Sequence, residues 1–221
     1  MSSKFFTNNN DRNLFDKFKG IIEHMKDLYA FHAVVGYFRS SGYFALQPHL
    51  ENIKEIKILV GINVDQMFAE AQRKGLLYFG DENKTKDEFL KWFIQDIKEA
   101  KYSEQVEKGV LQFINDLMKG RIEVRAHNSK AIHAKFYLFL PEKHTTHSDG
   151  WVIMGSSNLT EAGLGIKKSP NYELNIALKD FDDVEFTKKE FIALWEQSTP
   201  ILPADIQQFK QKTHIGQTFT P

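Results

Sequence analysis

Three short apolar runs, Phe136–Leu140, Trp151–Met154 and Leu174–Leu178, limit what this chain can fold into, because each borders a compact polar cluster. Runs of this length, rich in aromatic and aliphatic residues, favour a sheet over a helix. Ile132-His133-Ala134-Lys135 precedes the first run. Gly155-Ser156-Ser157-Asn158-Leu159-Thr160 follows the second, and Tyr172-Glu173-Leu174-Asn175 opens the third. In extended backbone His133 and Lys135 point to one face, because side chains alternate. Burying an imidazole and an ammonium there without partners is costly, so the pair reads as a site rather than as core. Two solvated groups on a surface strand are the plainer alternative, and the clusters that follow weigh against it.

Phosphoryl transfer needs this set of groups. An imidazole attacks phosphorus, a lysine neutralises the non-bridging oxygens, Asn and Ser donate to them, and a carboxylate fixes the imidazole tautomer. His133, Lys135, Asn158, Ser156 and Glu173 supply one of each. Ser157 reads equally well as a helix cap. Arg125 and His127 fall near the cleft without a clear role.

HxK, then GSxN, then a glutamate on a following strand resembles the phospholipase D superfamily. HxK is His133-Ala134-Lys135, GSxN is Gly155-Ser156-Ser157-Asn158, and the glutamate is Glu173. The likeness covers about Arg121 to Leu178 well and the earlier chain in outline. The family's Asp, five residues after the Lys, falls on Leu140. That departure points away from the phospholipases proper and towards the nuclease-like branch. The superfamily's active site takes two such sets, and the chain has one HxK followed by GSxN. The resemblance therefore implies a homodimer with one site across a two-fold axis. It also implies a phospholipase-D-like mixed β-sheet flanked by helices, and a phosphohistidine formed without metal or cofactor. His133, Lys135, Asn158 and Glu173 are the catalytic set, with Ser156, Lys135 and Asn158 on the phosphate.

Charge gives this reading no help by itself: 29 Lys and Arg balance 29 Asp and Glu, for a net charge of +0. Nucleic acid, expected to be DNA, then needs a local basic surface. Lys167 and Lys168, in the loop from Ala162 to Pro170, are the candidate contacts. With no cysteine, disulfides and thiolate metal sites are excluded. His144 and His147 have no further ligand pattern and read as loop histidines, so no metal site is expected. Met1–Phe6 has no apolar signal core, and no run approaches the roughly 20 residues of a spanning helix. A cytoplasmic protein without a membrane partner is expected.

Along the chain, residues 1–10 read as loose or as a short edge segment. Asp11 or Asn13 caps a helix whose apolar stripe runs from Leu14 to Leu28. Strands are expected at Phe31–Phe38, with Gly36 where something approaches closely, at Ile56–Ile62, central because nearly all apolar, and at Ile122–Ala126. A short helix is expected at Tyr43–Asn52. Residues 65–119 read as a helical insertion with apolar stripes through Phe89, Trp92 and Phe93 and through Val106–Leu117, closed by Gly120. Asp180–Gln197 is a long helix with Phe186, Phe191, Leu194 and Trp195 inward, broken at Thr199–Pro203. A short helix at Asp205–Lys212 follows. The domain is taken as 1–200, with 201–221 a linker towards a downstream domain. The arrangement resembles the phospholipase-D-like module at the N-terminus of some bacterial helicases and restriction-type proteins. The expected function is a metal-independent nuclease. A non-catalytic DNA-binding or dimerisation module and a phosphatidyl hydrolase or transferase are the alternatives.

Overall fold

The computed structural model describes residues 3–8, 13–36, 40–61, 86–87, 91, 104–127 and 132–201. The expectations for residues 65–103, Phe38, Ile62, the turn at 128–130 and the helix at 205–212 lie outside these or almost so.

Eight strands form one mixed sheet: β1 (Phe5–Thr7), β2 (Leu28–Val35), β3 (Glu55–Gly61), β4 (Ile122–His127), β5 (Phe136–Pro141), β6 (Trp151–Gly155), β7 (Leu174–Leu178) and β8 (Thr199–Ile201). Their order is β1-β7-β6-β5-β2-β3-β4-β8. Strands β2, β3 and β4 are parallel, and β5, β6 and β7 continue antiparallel from β2. Parallel neighbours need crossovers, and these bring helices over one face. That face carries α1 (Leu14–His24), α2 (Ser40–Leu46) and α3 (Glu104–Met118), packed through Phe18, Tyr43, Leu46, Phe113 and Leu117. A four-residue helix, α4 (Glu161–Leu164), joins them through Leu164. Phe18 presents its ring edge-on to Phe31, Tyr137 and Phe139 at 4.9–5.8 Å, so one α1 residue anchors two strands. The opposite face is covered by α5 (Phe181–Glu196), through Val184, Phe191 and Trp195 against Val34, Leu138 and Leu140.

Local chemistry sets the element ends. Asn13 caps α1, its Oδ1 accepting from Asp16 N at 2.9 Å. Gly120, at φ 70°, closes α3. Residues 40–49 form α2 followed by a 3₁₀ turn, with Pro48 tightening the second half, rather than one helix from Tyr43 to Asn52. Two further expectations are corrected. Phe186 lies on the outer face of α5, 65% exposed, because the inner stripe runs through Val184, Thr187, Phe191 and Trp195. Thr199–Ile201 does more than break the helix: it pairs antiparallel with β4 and closes that edge of the sheet, with Ile201 buried.

His144 is also corrected. Its side chain is buried, stacked on Phe181 at 5.0 Å, and its Nδ1 hydrogen bonds to Glu185 Oε1 at 2.7 Å. That contact holds Glu185 below its ordinary pKa and ties the β5–β6 hairpin to α5. Among the described residues no group of three or more His, Asp or Glu is placed to hold a metal ion. No described helix is long and apolar enough to cross a membrane.

Beneath α5, His32 Nε2 donates to Glu55 Oε1 at 2.7 Å, Lys57 Nζ reaches Glu55 Oε2 at 2.9 Å, and the His32 ring stacks on Phe191. The hydrogen bond from His32, then that from Lys57, lowers Glu55 to about 2. Burial lowers His32 below its usual 6.5 and keeps it neutral. Both folded-state values lie below the unfolded ones, so the unfolded chain binds more protons in acid. Stability is lost as pH falls below about 6.5 through His32, and below about 4.5 through Glu55. In urea titrations Glu55→Gln should flatten the decline below pH 4.5, and an unchanged slope would count against this account.

Candidate active site

The candidate residues gather where β2 and β3 end and β5 begins. Gly36 follows β2 and Gly61 ends β3, and the chain carrying His133 and Lys135 crosses directly over both. A methyl group at Gly61 would lie 2.8 Å from Ile132 O, and one at Gly36 would lie 3.2 Å from the same oxygen. The same point at Gly36 is 3.6 Å from Lys135 Cε and 3.6 Å from Asn158 Oδ1, so Lys135 and Asn158 converge there. The close approach expected at Gly36 is therefore that of the candidate site itself. His127, buried at the end of β4, pairs with Gly61 beside this floor. Arg125 packs away from it, its guanidinium 4.7 Å over the Trp195 ring and bonded to Trp195 O.

His133 and Lys135 lie in the segment just before β5 rather than within it. His133 is exposed and Lys135 is 9% exposed. Lys135 Nζ donates to His133 O at 2.8 Å and lies 3.5 Å from His133 Nδ1. The common face expected from their spacing thus brings ammonium and imidazole together. Main-chain bonding of Gly155 N to Lys135 O, at 3.1 Å, joins this segment to the next cluster.

That cluster is the turn after β6. Gly155 has no room for a side chain: a methyl group would sit 2.3 Å from Leu174 O and 2.4 Å from Asn175 Oδ1. Gly163 of α4 is equally short of room against the backbone of Asn158: a methyl group there would sit 2.2 Å from the Asn158 carbonyl oxygen. Thr160 caps α4 through Gly163 N, and Gly165 closes it at φ 82°. Beneath the turn, Ser157 is buried, its hydroxyl accepting from Asn175 Nδ2 at 2.9 Å and its carbonyl from Tyr137 OH at 2.8 Å. Burial also raises the Tyr137 phenol above its ordinary value, so it stays a donor. Ser157, Tyr137 and Asn175 therefore fix the turn that carries Asn158. Sequence reasoning assigned the first to a cap, the second to an apolar run and the third to a polar patch. The Asn at the end of Tyr172-Glu173-Leu174-Asn175 was the available signal.

Ser156 is exposed and forms a pair with Glu173: its hydroxyl donates to Glu173 Oε2 and accepts from Leu174 N at 3.1 Å. The structure thus turns Glu173 to Ser156, while the neighbour it gives the His133 ring is Lys135. Lys167 and Lys168 are exposed on the loop after α4. At the position of the superfamily's Asp, Leu140 is buried against the α5 layer, where a carboxylate would be desolvated. Asn8, in the segment read as loose or as a short edge segment, accepts from Glu173 N at 3.0 Å and donates to Asn171 O at 2.9 Å.

Comparison with known proteins settles the ancestry. The sequence matches the family described as "Cardiolipin synthase, PLD-like domain" over residues 55–195. This chain belongs to the phospholipase-D-like family. The matched span runs from β3 to α5 and contains every candidate catalytic residue of this phospholipase-D-like domain. No protein with a curated function matches the sequence. Among solved structures, TrmBL2, an archaeal chromatin protein, aligns at 13% identity and a TM-score of 0.41, over 90% of this chain and 54% of that one. Nuc from Salmonella typhimurium, a phospholipase D family member, aligns at 12% and 0.43, over 83% and 88%. NucT from Helicobacter pylori aligns at 11% and 0.44, over 89% and 96%. Membership in the family rests on the sequence match.

Proposed function

We propose that this domain is a phosphodiesterase that cleaves nucleic acid through a phosphohistidine, with its site completed by a second copy of the chain. The observation that carries the reading is the buried Lys135 ammonium held 3.5 Å from the His133 ring, with Asn158 converging on the same floor. Lys135 and Asn158 are assigned to the non-bridging oxygens of a diester bound at His133, where charge builds during transfer. His133 attacks phosphorus, forming the P–N bond as the P–O bond to the leaving strand breaks. The partner's His133 gives its proton to the departing oxygen. It then takes a proton from water, which attacks phosphorus and releases the first imidazole. Glu173 is assigned to orienting His133 and Ser156 to donating to phosphate, and both roles require the Ser156–Glu173 hydrogen bond of the structure to open when substrate binds. Localisation in the cytoplasm and a place upstream of a helicase-type domain belong to the same reading.

With excess EDTA present, diester hydrolysis should continue, and a phosphoenzyme stable in alkali and labile in acid should accumulate. Sedimentation should show a dimer at working concentrations. Strict magnesium dependence, or full turnover by a monomer, would sink the mechanism.

A phosphatidyl transferase is the second reading. Two observations favour it: the wording of the matched family, and the exposed apolar residues Phe5, Tyr172 and Leu174 at the rim. Assaying a DNA strand and phosphatidylglycerol vesicles side by side separates the two.

A further inference from the structure

Tyr172 stands out among the exposed residues. Its side chain is 67% exposed, yet the backbone on both sides of it is clamped by one residue. Asn8 donates to Asn171 O on one flank and accepts from Glu173 N on the other, and Ser169 Oγ accepts from Asn171 N at 3.1 Å. The next residue, Glu173, is bonded to Ser156 of the candidate site. Leu174 and Phe5 extend the apolar strip. Thr7 pairs with Leu174 and Phe5 with Ile176, which makes Phe5 and Leu174 diagonal neighbours on one face, 58% and 47% exposed. The cations of the same loop, Lys167 and Lys168, are exposed as well. Where Lys167 begins, the loop is held: Asn13 Nδ2 donates to Gly165 O, and Lys167 N bonds to Glu161 O.

We propose that this rim is a stacking platform for an unpaired nucleic-acid strand, with Tyr172 taking a base and Lys167 and Lys168 the adjoining phosphates. The proposal rests on the reading above that the site handles nucleic-acid diesters, and it specifies the strand. A chain of net charge +0 gains little affinity from phosphates at large, so base contacts must supply more of it. A ring on a clamped backbone loses little freedom on stacking. Bases in a duplex already stack on one another, so such a ring favours a strand whose bases are free. Membrane entry fits the strip less well. It is a single row on a sheet edge beside asparagines, whereas interfacial binding spreads over the broad apolar face of an amphipathic helix.

The test uses the full chain and measures anisotropy with a labelled single-stranded oligonucleotide and its duplex, beside turnover of bis(p-nitrophenyl) phosphate. Tyr172→Ala should weaken single-strand binding about 5-fold or more, and Tyr172→Phe should restore it. Duplex binding and small-diester turnover should not change. Equal losses on strand and duplex, or no loss on the strand, overturn the proposal. So does a shift from dimer to monomer in Tyr172→Ala, which makes the strip a contact between copies. Loss of binding to phosphatidylglycerol vesicles without loss on the strand makes it a lipid surface, and also overturns it. Failure of the wild type to turn over the small diester removes the catalytic reading alone, and ring-dependent strand binding still supports the platform.

Discussion

His133→Ala should reduce diester cleavage on the order of 10⁴-fold or more, because the substitution removes the attacking group itself. The ring is exposed, and no core contact depends on it. Thermal unfolding should therefore move by no more than about 0.5 kcal/mol. The variant should also keep its affinity for a nucleic-acid strand, since Lys135 and Asn158 remain. Single-turnover cleavage with a radiolabelled oligonucleotide checks the rate, and calorimetry checks the fold. Wild-type turnover in the variant would move the nucleophile elsewhere. Inactivity of the wild type itself, with strand binding intact, would leave a non-catalytic binding module.

Gly163→Ala should reach the same reaction from behind. The added methyl group meets the Asn158 carbonyl at 2.2 Å and the Asn158 nitrogen at 3.0 Å, and both are backbone atoms. Either α4 or the Gly155–Asn158 turn must move. A displacement near 1 Å at a positioned group costs roughly 100-fold in turnover, and overpacking of this kind costs about 1–3 kcal/mol of stability. Gly20→Ala is the control, because a methyl group there meets nothing within 4 Å on a helix. It should be neutral or stabilising by up to about 1 kcal/mol. Small-diester kinetics and urea titration of both variants decide the matter. Unchanged turnover in Gly163→Ala would mean that Asn158 tolerates relocation or has no part in the reaction.

What the sequence made legible follows how local each signal is. The three apolar runs became β5, β6 and β7 because strand length and polar borders are nearest-neighbour properties. The cap at Asn13 and the stop at Gly120 are local too. Gly36 was readable as a point of close approach, but the visitor, Ile132, is nearly a hundred residues away in the chain. The long-range pairings were the ones missed. His144 looked like a loop residue because its partners, Phe181 and Glu185, belong to a helix far along the sequence. Phe186 looked inward because apolar character alone does not say which stripe of α5 meets the sheet. Asn8 gave no sign of its role, because what it braces is the backbone of Asn171 and Glu173 across a strand pair. Residue types and spacing named the candidate residues, but the partner of Glu173 came only from the coordinates.

Bare backbone at Gly36 and Gly61 has a mechanical corollary. Side chains that separate one layer from the next can absorb small displacements by changing rotamer. Here the segment bearing the imidazole rests on main chain with no such cushion. A substitution that alters the twist between β2 and β3 should reach His133 with little damping. Directed evolution of this domain should therefore find activity-changing mutations under α5 and α1 as readily as at the rim.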